Sequence, residues 1–179
     1  PDYKMNRHRK PKKRNEFVPE LRKLLVFEGY AIDAGDRETD DYIRTWAGEC
    51  RDHDVEYVVC SVDKDLKCIP GKYYNLKTKE FEIVTEEYAM RFYYQQLIMG
   101  DSTDNIPGVP GVGPVGAKNI LADCNTEEEF QREVVDLYQA VFDDDWLDYL
   151  LSNGKMIHIQ RHLNDYFNLE EWPYARKYL

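Results

Sequence analysis

The sequence predicts an α/β fold whose second half is helical. Residues 55–61 (VEYVVCS) are apolar and rich in β-branched side chains, a pattern typical of a strand buried on both faces of a parallel sheet. A helix is predicted before this strand, over Glu38–Cys50, and a short buried strand before that helix, over Tyr30–Ile32. Such a strand–helix–strand order implies a right-handed crossover. Residues 72–84 have the pattern of a hairpin that turns near 76–79.

Helix signals dominate the rest of the chain, because capping residues and glycines mark several helix ends. The first predicted helix runs from Pro19 to about Glu28 and ends at Gly29, and the second runs from Thr85 to about Met99. A third runs from about Pro114 to Asp123, a fourth begins at a capping box at 126–129, and further short helices are predicted within 143–179. We interpret residues 1–84 as the C-terminal part of an α/β core and residues 85–179 as a helical region.

Composition points to a globular protein with no membrane span. Of the 179 residues, 42% are hydrophobic and 32% charged, and no apolar run approaches the ~20 residues that a span needs. The four cysteines form no C-x-x-C pair, so we expect reduced thiols, no zinc site and a cytoplasmic location. His158 and His162 are spaced i, i+4, but two histidines alone favour a surface or core role over metal binding.

Charge is distributed unevenly along the chain. The net charge is −10, yet residues 1–14 carry seven basic residues against one acidic residue, so this segment is +6 and the remainder −16. Such a basic arm is either a disordered tail or a contact for a polyanion, and charge alone leaves both interpretations open.

Three acidic clusters lie where predicted elements begin or end. ETDD stands at a helix start, the aspartates of SVDKDL follow the predicted strand, and those of GDSTDN follow a helix; the residues are Glu38, Asp40, Asp41, Asp63, Asp65, Asp101 and Asp104. Taken singly, each cluster has a structural explanation as a helix-dipole partner, a loop or a turn. Together at the carboxyl ends of strands, they predict an all-oxygen site for two Mg²⁺ or Mn²⁺ ions.

Residues 108–121 (GVPGVGPVGAKNIL) form a glycine-rich loop followed by a helix. The loop lacks the G-K-[ST] ending of a phosphate-binding Walker loop, and an ordinary structural turn is the alternative. The pattern favours a helix–hairpin–helix within about 99–121, in which Gly111, Gly113 and Gly116 let backbone amides approach a DNA phosphate. Lys118 lies in the first turns of the second helix, where it adds a charge contact.

The string MGDSTDNIPGVPGVGPVGAKNIL (99–121), with SVDKDL, ETDD and YKMNR (3–7), resembles the flap-endonuclease and 5′→3′ exonuclease superfamily, most closely its bacteriophage members. The resemblance covers roughly residues 1–125. It implies a PIN-like parallel sheet flanked by helices and a helix–three-turn–helix. It also implies a structure-selective nuclease that hydrolyses DNA near a free 5′ end, a flap or a duplex junction, in the host cytoplasm if it is phage-encoded.

The resemblance also implies roles for individual residues. Glu38, Asp40 and Asp41 would surround a first metal ion, Asp63 would lie near both ions, and Asp65, Asp101 and Asp104 would serve the second. Lys4 and Arg7 match basic residues that contact the scissile phosphate and its neighbour. The carbonyls of Val109 and Val112 are the candidates for a K⁺ site at the hairpin.

Two departures from the family pattern limit this expectation. Family members open with a buried strand that ends in a metal-binding Asp, and a second such Asp precedes the Y-K-x-N-R segment; both would fall before Pro1. The arch between Arg7 and Glu38 is also short. The alternatives are therefore a non-catalytic DNA-binding fragment, or one half of a split nuclease that an N-terminal chain completes. A PIN-type RNA nuclease would share the carboxylates but would not need the hairpin.

Overall fold

The computed structural model describes residues 17–179. In chain order the helices and strands are α1 (Phe17–Phe27), α2 (Thr39–Asp52), β1 (Val58–Ser61), β2 (Gly71–Asn75), β3 (Glu80–Val84), α3 (Glu86–Met99), α4 (Pro114–Ile120), α5 (Glu127–Phe142) and α6 (Trp146–Ile157). Short 3-10 turns occur at Asp65–Cys68, Asp143–Asp145, Leu169–Glu171 and Ala175–Tyr178. The fold is a helix-rich α/β arrangement around a small sheet.

The sheet has three strands in the order β1-β2-β3. β1 runs parallel to β2, with Val59 opposite Tyr73, and β2 runs antiparallel to β3. The predicted hairpin is confirmed: the Asn75 side chain accepts hydrogen bonds from the amides of Lys77 (2.9 Å) and Thr78 (3.1 Å), and this fixes the turn. The sheet is therefore mixed, with a single parallel pair among the described strands, where the sequence predicted a parallel sheet.

Two predictions about the first half are wrong. Residues 30–32 form no strand, and Tyr30 and Ile32 are 82% and 64% exposed. The strand predicted over residues 55–61 begins only at Val58, and of its residues Val59 alone is buried. With no strand between residue 17 and α2, the predicted crossover from residues 30–32 to residues 55–61 does not form. The physical reason is that Val58 and Cys60, which share one face of β1, are exposed, so only the opposite face with Val59 is covered.

Buried apolar residues form two clusters. The sheet cluster joins α2, the three strands and the start of α3, and includes Ala47, Val59, Leu66 and Tyr73. The helical cluster is larger and joins α3, α4, α5, α6 and the C-terminal residues up to Ala175. Helix α3 contributes to both, so the division at residue 84 stays an interpretation.

The predicted helix caps in the second half are confirmed. The Thr85 hydroxyl accepts a hydrogen bond from the Tyr88 amide at 3.1 Å, and Thr126 and Glu129 form the reciprocal capping box at the start of α5. Helix α4 ends at Ile120, slightly before the predicted Asp123. Within residues 17–179, no helix is long and apolar enough to cross a membrane.

Candidate metal centre and nucleic-acid interface

The loop that leaves β1 is held in shape by its own polar side chains. The Asp63 amide donates to the Ser61 hydroxyl at 3.0 Å, and the Asp65 amide donates to Asp63 Oδ1 at 3.0 Å. From β2, the buried Tyr73 donates its hydroxyl proton to the Asp63 carbonyl at 2.7 Å. These bonds fix the backbone while leaving the Asp63 side chain exposed, so the strand end presents two carboxylates on a defined loop.

The loop after α3 carries Asp101, which lies close to the loop that leaves β1. Asp101 and Ile106 exchange backbone hydrogen bonds of 3.0 and 2.8 Å, and the Thr103 amide donates to Asp101 Oδ1 at 2.6 Å. Gly100 (φ +69°) and Gly108 (φ +60°) meet at the base of this loop, where a Cβ on either would run into the other's backbone. The tight base holds the Asp101 side chain in a buried position. Asp104 lies half-buried on the same loop.

Lys64 and Gln96 connect these two loops. The Lys64 ammonium lies 2.8 Å from Asp101 Oδ2 and 4.0 Å from Asp65 Oδ1, and the buried Gln96 of α3 donates its amide to Asp65 Oδ1 at 2.6 Å. Neither residue is predicted from the sequence. A lysine between two aspartates and a glutamine in an otherwise apolar helix face carry no local signal for such contacts.

The electrostatics of this cluster differ between its two inner carboxylates. Burial raises the pKa of Asp65 to about 6; Lys64 and the Gln96 hydrogen bond oppose this rise, and the charges of Asp63 and Asp101 add to it. Burial also acts to raise the pKa of Asp101, but the Lys64 ammonium and the Thr103 amide outweigh it and hold that pKa below its ordinary value. Asp101 is therefore ionised at neutral pH, with Lys64 as its nearest counter-charge.

The donor chemistry here suits a hard divalent cation. Asp63, Asp65 and Asp101 offer only carboxylate oxygens, and Asp101 Oδ2 is buried without a hydrogen bond of standard geometry. The Lys64 ammonium, 2.8 Å away, is the cation that faces that oxygen. Yet as they stand, no three His, Cys, Asp or Glu residues within 17–179 are arranged so that they could hold a metal ion. The residues fit the predicted ions in kind, and the ligand set stays a prediction.

The acidic start of α2 is used differently. Glu38 is the N-cap residue, while Asp40 and Asp41 lie in the first turn, where the helix dipole favours negative charge. Asp41 Oδ1 accepts a hydrogen bond of 2.7 Å from the Gln160 amide, 119 residues further along the chain. At least one predicted ligand of the first ion thus also anchors the C-terminal segment.

The glycine-rich loop between α3 and α4 exposes its backbone to solvent. Val109 is buried and its amide donates to the Ile98 carbonyl at 2.7 Å, while the Val112 amide donates to the Val109 carbonyl at 3.1 Å. Gly111 has φ +79° and open space around it, and Gly113 is the N-cap residue of α4. Lys118 points outward from that helix. Such a turn can present amides to a phosphate, but DNA binding, the K⁺ site and the motif itself stay predictions.

Lys4 and Arg7, the predicted phosphate contacts, lie outside the described residues. Of the remaining predicted site residues, the structure places Asp63, Asp65 and Asp101 together around Lys64. Gly111, Gly113, Gly116 and Lys118 share one neighbouring turn and helix.

Comparison with known proteins gives this arrangement its context. No family model matches the chain. DNA polymerase I of Bacillus caldotenax is 33% identical over 141 residues, which is 71% of this chain and 16% of that protein. Flap endonuclease Xni of Shewanella amazonensis is 29% identical over 132 residues, covering 67% of this chain and 51% of its relative. The 5′-3′ exonuclease of Aquifex aeolicus is 27% identical over 149 residues, or 74% of this chain and 52% of that protein. The chain is thus similar in sequence to a flap endonuclease, to a 5′-3′ exonuclease and to part of DNA polymerase I.

Solved structures support the fold of this chain. The T5 5′-exonuclease with bound divalent zinc ions matches at a TM-score of 0.61 and 20% identity, over 88% of this chain and 64% of that one. The bacteriophage T5 D15 flap endonuclease in a complex with DNA and metal ions matches at 0.54 and 18% identity, over 88% and 71%. At these identities the likeness concerns the fold. The chain spans 16% of the polymerase and about half of the flap endonuclease and the exonuclease.

Proposed function

We propose that this chain is a structure-selective 5′ nuclease, a 5′→3′ exonuclease or flap endonuclease that hydrolyses DNA phosphodiesters with two divalent ions, Mg²⁺ or Mn²⁺. The observation that carries the proposal is the meeting of the β1 loop and the Asp101 loop, whose carboxylates face one another around a single ammonium. Two of the relatives named above are a flap endonuclease and a 5′-3′ exonuclease, and one structural neighbour is a complex with DNA and metal ions.

In this proposal, different residues of the chain bind the two ions, orient the carboxylates and bind the phosphate. Asp63, Asp65, Asp101 and Asp104 would hold one ion, and Glu38, Asp40 and Asp41, with Asp63 nearby, the other. Bound ions would supply a stronger water nucleophile and stabilise the leaving oxygen. Gln96 orients the Asp65 carboxylate through its 2.6 Å hydrogen bond, and the tight Gly100–Gly108 base fixes Asp101. Lys4 and Arg7 would bind the reacting phosphate and its neighbour.

The helical region, residues 85–179, would bind the DNA duplex at a distance from the phosphodiester that is hydrolysed. The exposed amides around Gly111 and Gly113 and the Lys118 ammonium would contact phosphates rather than base edges, so selectivity would come from DNA shape and the free 5′ end. A K⁺ ion bound by the carbonyls of Val109 and Val112 would fit the same turn. The Val109 carbonyl already accepts one hydrogen bond, which leaves it a second lone pair.

One observation favours a form of the proposal in which a further N-terminal segment completes the sheet. Among residues 17–179, β1 pairs on one side only, with β2, so its other edge offers backbone donors and acceptors to a further strand. Val55 and Val58 are 54% and 43% exposed beside that edge. An N-terminal segment, in the same polypeptide or in a partner chain, would cover these side chains and bring further carboxylates to the strand ends.

The test is cleavage of a 5′-labelled flap duplex with Mg²⁺, measured for the wild-type chain, for Asp63→Ala and for a control, Asp123→Ala. Both residues are exposed aspartates, but Asp123 lies in the turn after α4, outside the cluster. We expect Asp63→Ala to lose cleavage by at least about a hundred-fold and to retain DNA binding, since misplaced ions cost orders of magnitude in rate. Asp123→Ala should cut like the wild type.

Three other outcomes would revise the proposal. Normal cleavage by Asp63→Ala would remove this cluster from the active site. DNA binding without cleavage by any form, with or without an added N-terminal segment, would leave the non-catalytic DNA-binding fragment. Cleavage only after that segment is supplied would show that an N-terminal segment or partner chain completes the nuclease.

A further inference from the structure

Lys64 is the cation at the centre of the carboxylate cluster. It lies in sequence between Asp63 and Asp65, and its ammonium is 2.8 Å from Asp101 Oδ2 and 4.0 Å from Asp65 Oδ1. Its side chain is 56% exposed, whereas that of Asp101 is 5% exposed. A long, solvated side chain therefore delivers its charged end to a buried oxygen.

That oxygen needs a cation. Asp101 Oδ1 accepts the Thr103 amide at 2.6 Å, but Oδ2 is buried and has no hydrogen bond of standard geometry. An uncompensated buried carboxylate is costly, so the Lys64 ammonium supplies the missing counter-charge. Gln96 acts differently on Asp65, because its amide donates a hydrogen bond without bringing a charge.

We propose that Lys64 is a built-in counter-cation for Asp101 and, at longer range, for Asp65 while the site holds no divalent ion, and that it competes with a divalent ion for the same oxygens. The inference rests on the proposed function, since it concerns the carboxylates assigned there to an ion. An ammonium on a four-carbon stem can turn outward to solvent when an ion arrives. Lys64 would thus weaken metal binding while it stabilises the metal-free protein.

The test is calorimetric titration of the chain with Mn²⁺ alone, without DNA. Lys64→Met keeps the length of the side chain and removes its charge. Lys72→Met is the matched control, because Lys72 is 47% exposed and pairs with one carboxylate, Glu56, at 3.2 Å, outside the cluster. We expect Mn²⁺ to bind Lys64→Met about ten-fold more tightly or better than the wild type, as a unit charge a few ångströms away is removed. Lys72→Met should bind as the wild type does.

The melting temperature of the same variants provides a second measurement. In EDTA, Lys64→Met should melt below the wild type, because Asp101 has lost its counter-charge, and added Mn²⁺ should raise its melting temperature by more than it raises that of the wild type. Lys64→Arg keeps the charge and should behave as the wild type in both measurements. Mn²⁺ affinity that is unchanged or weaker in Lys64→Met would overturn the competition.

Asp101→Asn separates this inference from the proposed function. One outcome supports the metal site and contradicts the role of Lys64: the wild type binds Mn²⁺, Asp101→Asn no longer binds it, and Lys64→Met binds it no more tightly than the wild type does. If neither the wild type nor any variant binds Mn²⁺, the role of Lys64 and the metal site fail together.

Discussion

Asp65 is the carboxylate in the cluster whose charge depends most on its surroundings. Burial raises its pKa to about 6, against an ordinary value of 3.8. A group whose pKa is raised in the folded state favours folding most at low pH, and that contribution is lost as the pH rises through the folded pKa. Above pH 6 the metal-free protein therefore carries an unfavourable buried charge at this position.

Replacing Asp65 by Asn should stabilise the metal-free protein at neutral pH. The neutral amide keeps an acceptor for Gln96 and removes the buried charge, so we expect a gain of about 1–2 kcal/mol in unfolding free energy at pH 7, reduced from the full pKa shift for solvent screening. Because the wild-type carboxyl is protonated at low pH, the difference should shrink as the pH falls from 6 to 4. Urea unfolding in EDTA across this range measures it. A destabilised Asp65→Asn at pH 7 would contradict the assignment.

At the scale of elements, the turn before α4 and Lys118 form a compact exposed surface. If this surface binds phosphate, DNA affinity should fall with salt by a log–log slope of about −0.9 per phosphate neutralised. Replacing Lys118 by Ala should flatten that slope by about one unit. Lys155→Ala, an equally exposed lysine on α6, is the control and should leave the slope unchanged. Fluorescence anisotropy of a labelled duplex between 50 and 200 mM salt measures both, and an affinity that does not vary with salt would indicate another binding surface.

Element boundaries were predictable where a local bond sets them. Thr85 and Thr126 cap their helices through side chains three residues from their partners, and Asn75 fixes its turn in the same way. The failures at residues 30–32 and 55–57 have another origin. An apolar run specifies a tendency to be buried, but whether anything covers it depends on neighbouring strands that lie far away in sequence.

The candidate site was predictable in composition and not in its contacts. Acidic residues after β1 and after α3 marked the two loops, because strand and helix ends converge in α/β folds. The Lys64–Asp101 ion pair joins residues 37 positions apart, and the Asp41–Gln160 bond joins residues 119 apart. Such contacts follow from how the elements pack, and no spacing rule within the sequence encodes them.

At the scale of the whole molecule, the segment after α6 ties the two buried clusters together. The backbone amide of Gln160 donates a hydrogen bond to the Asp41 side chain at the start of α2, and Ile159 packs against the sheet cluster. A few residues later, Phe167 and Trp172 are part of the helical cluster. The sequence predicted short helices here and gave no sign that these residues connect α2, with its predicted metal ligands, to the rest of the fold.

Asp165 fixes the conformation of this connecting segment, so replacing it should lower the free energy of unfolding of the protein. It is 5% exposed and accepts hydrogen bonds from the Arg161 amide (2.8 Å) and from the Arg161 guanidinium at both oxygens (2.8 and 3.0 Å). Burial opposes its ionisation, but Arg161 and His158 outweigh that effect and hold the pKa of Asp165 well below its ordinary value. A carboxyl with a depressed pKa contributes stability that is present above pH 4 and is lost as the pH falls further.

We therefore expect Asp165→Asn to lower the unfolding free energy at pH 7 by about 2 kcal/mol, a value kept modest because Arg161 is half-exposed. The difference from the wild type should narrow below pH 4, where the wild-type carboxyl begins to bind its proton. Asp148→Asn, an exposed aspartate on α6, is the control and should unfold like the wild type at every pH. Hydrogen exchange should show the added opening in α2 as well as in the C-terminal segment, because Gln160 holds Asp41. If opening is confined to residues after 157, the segment does not couple the two clusters.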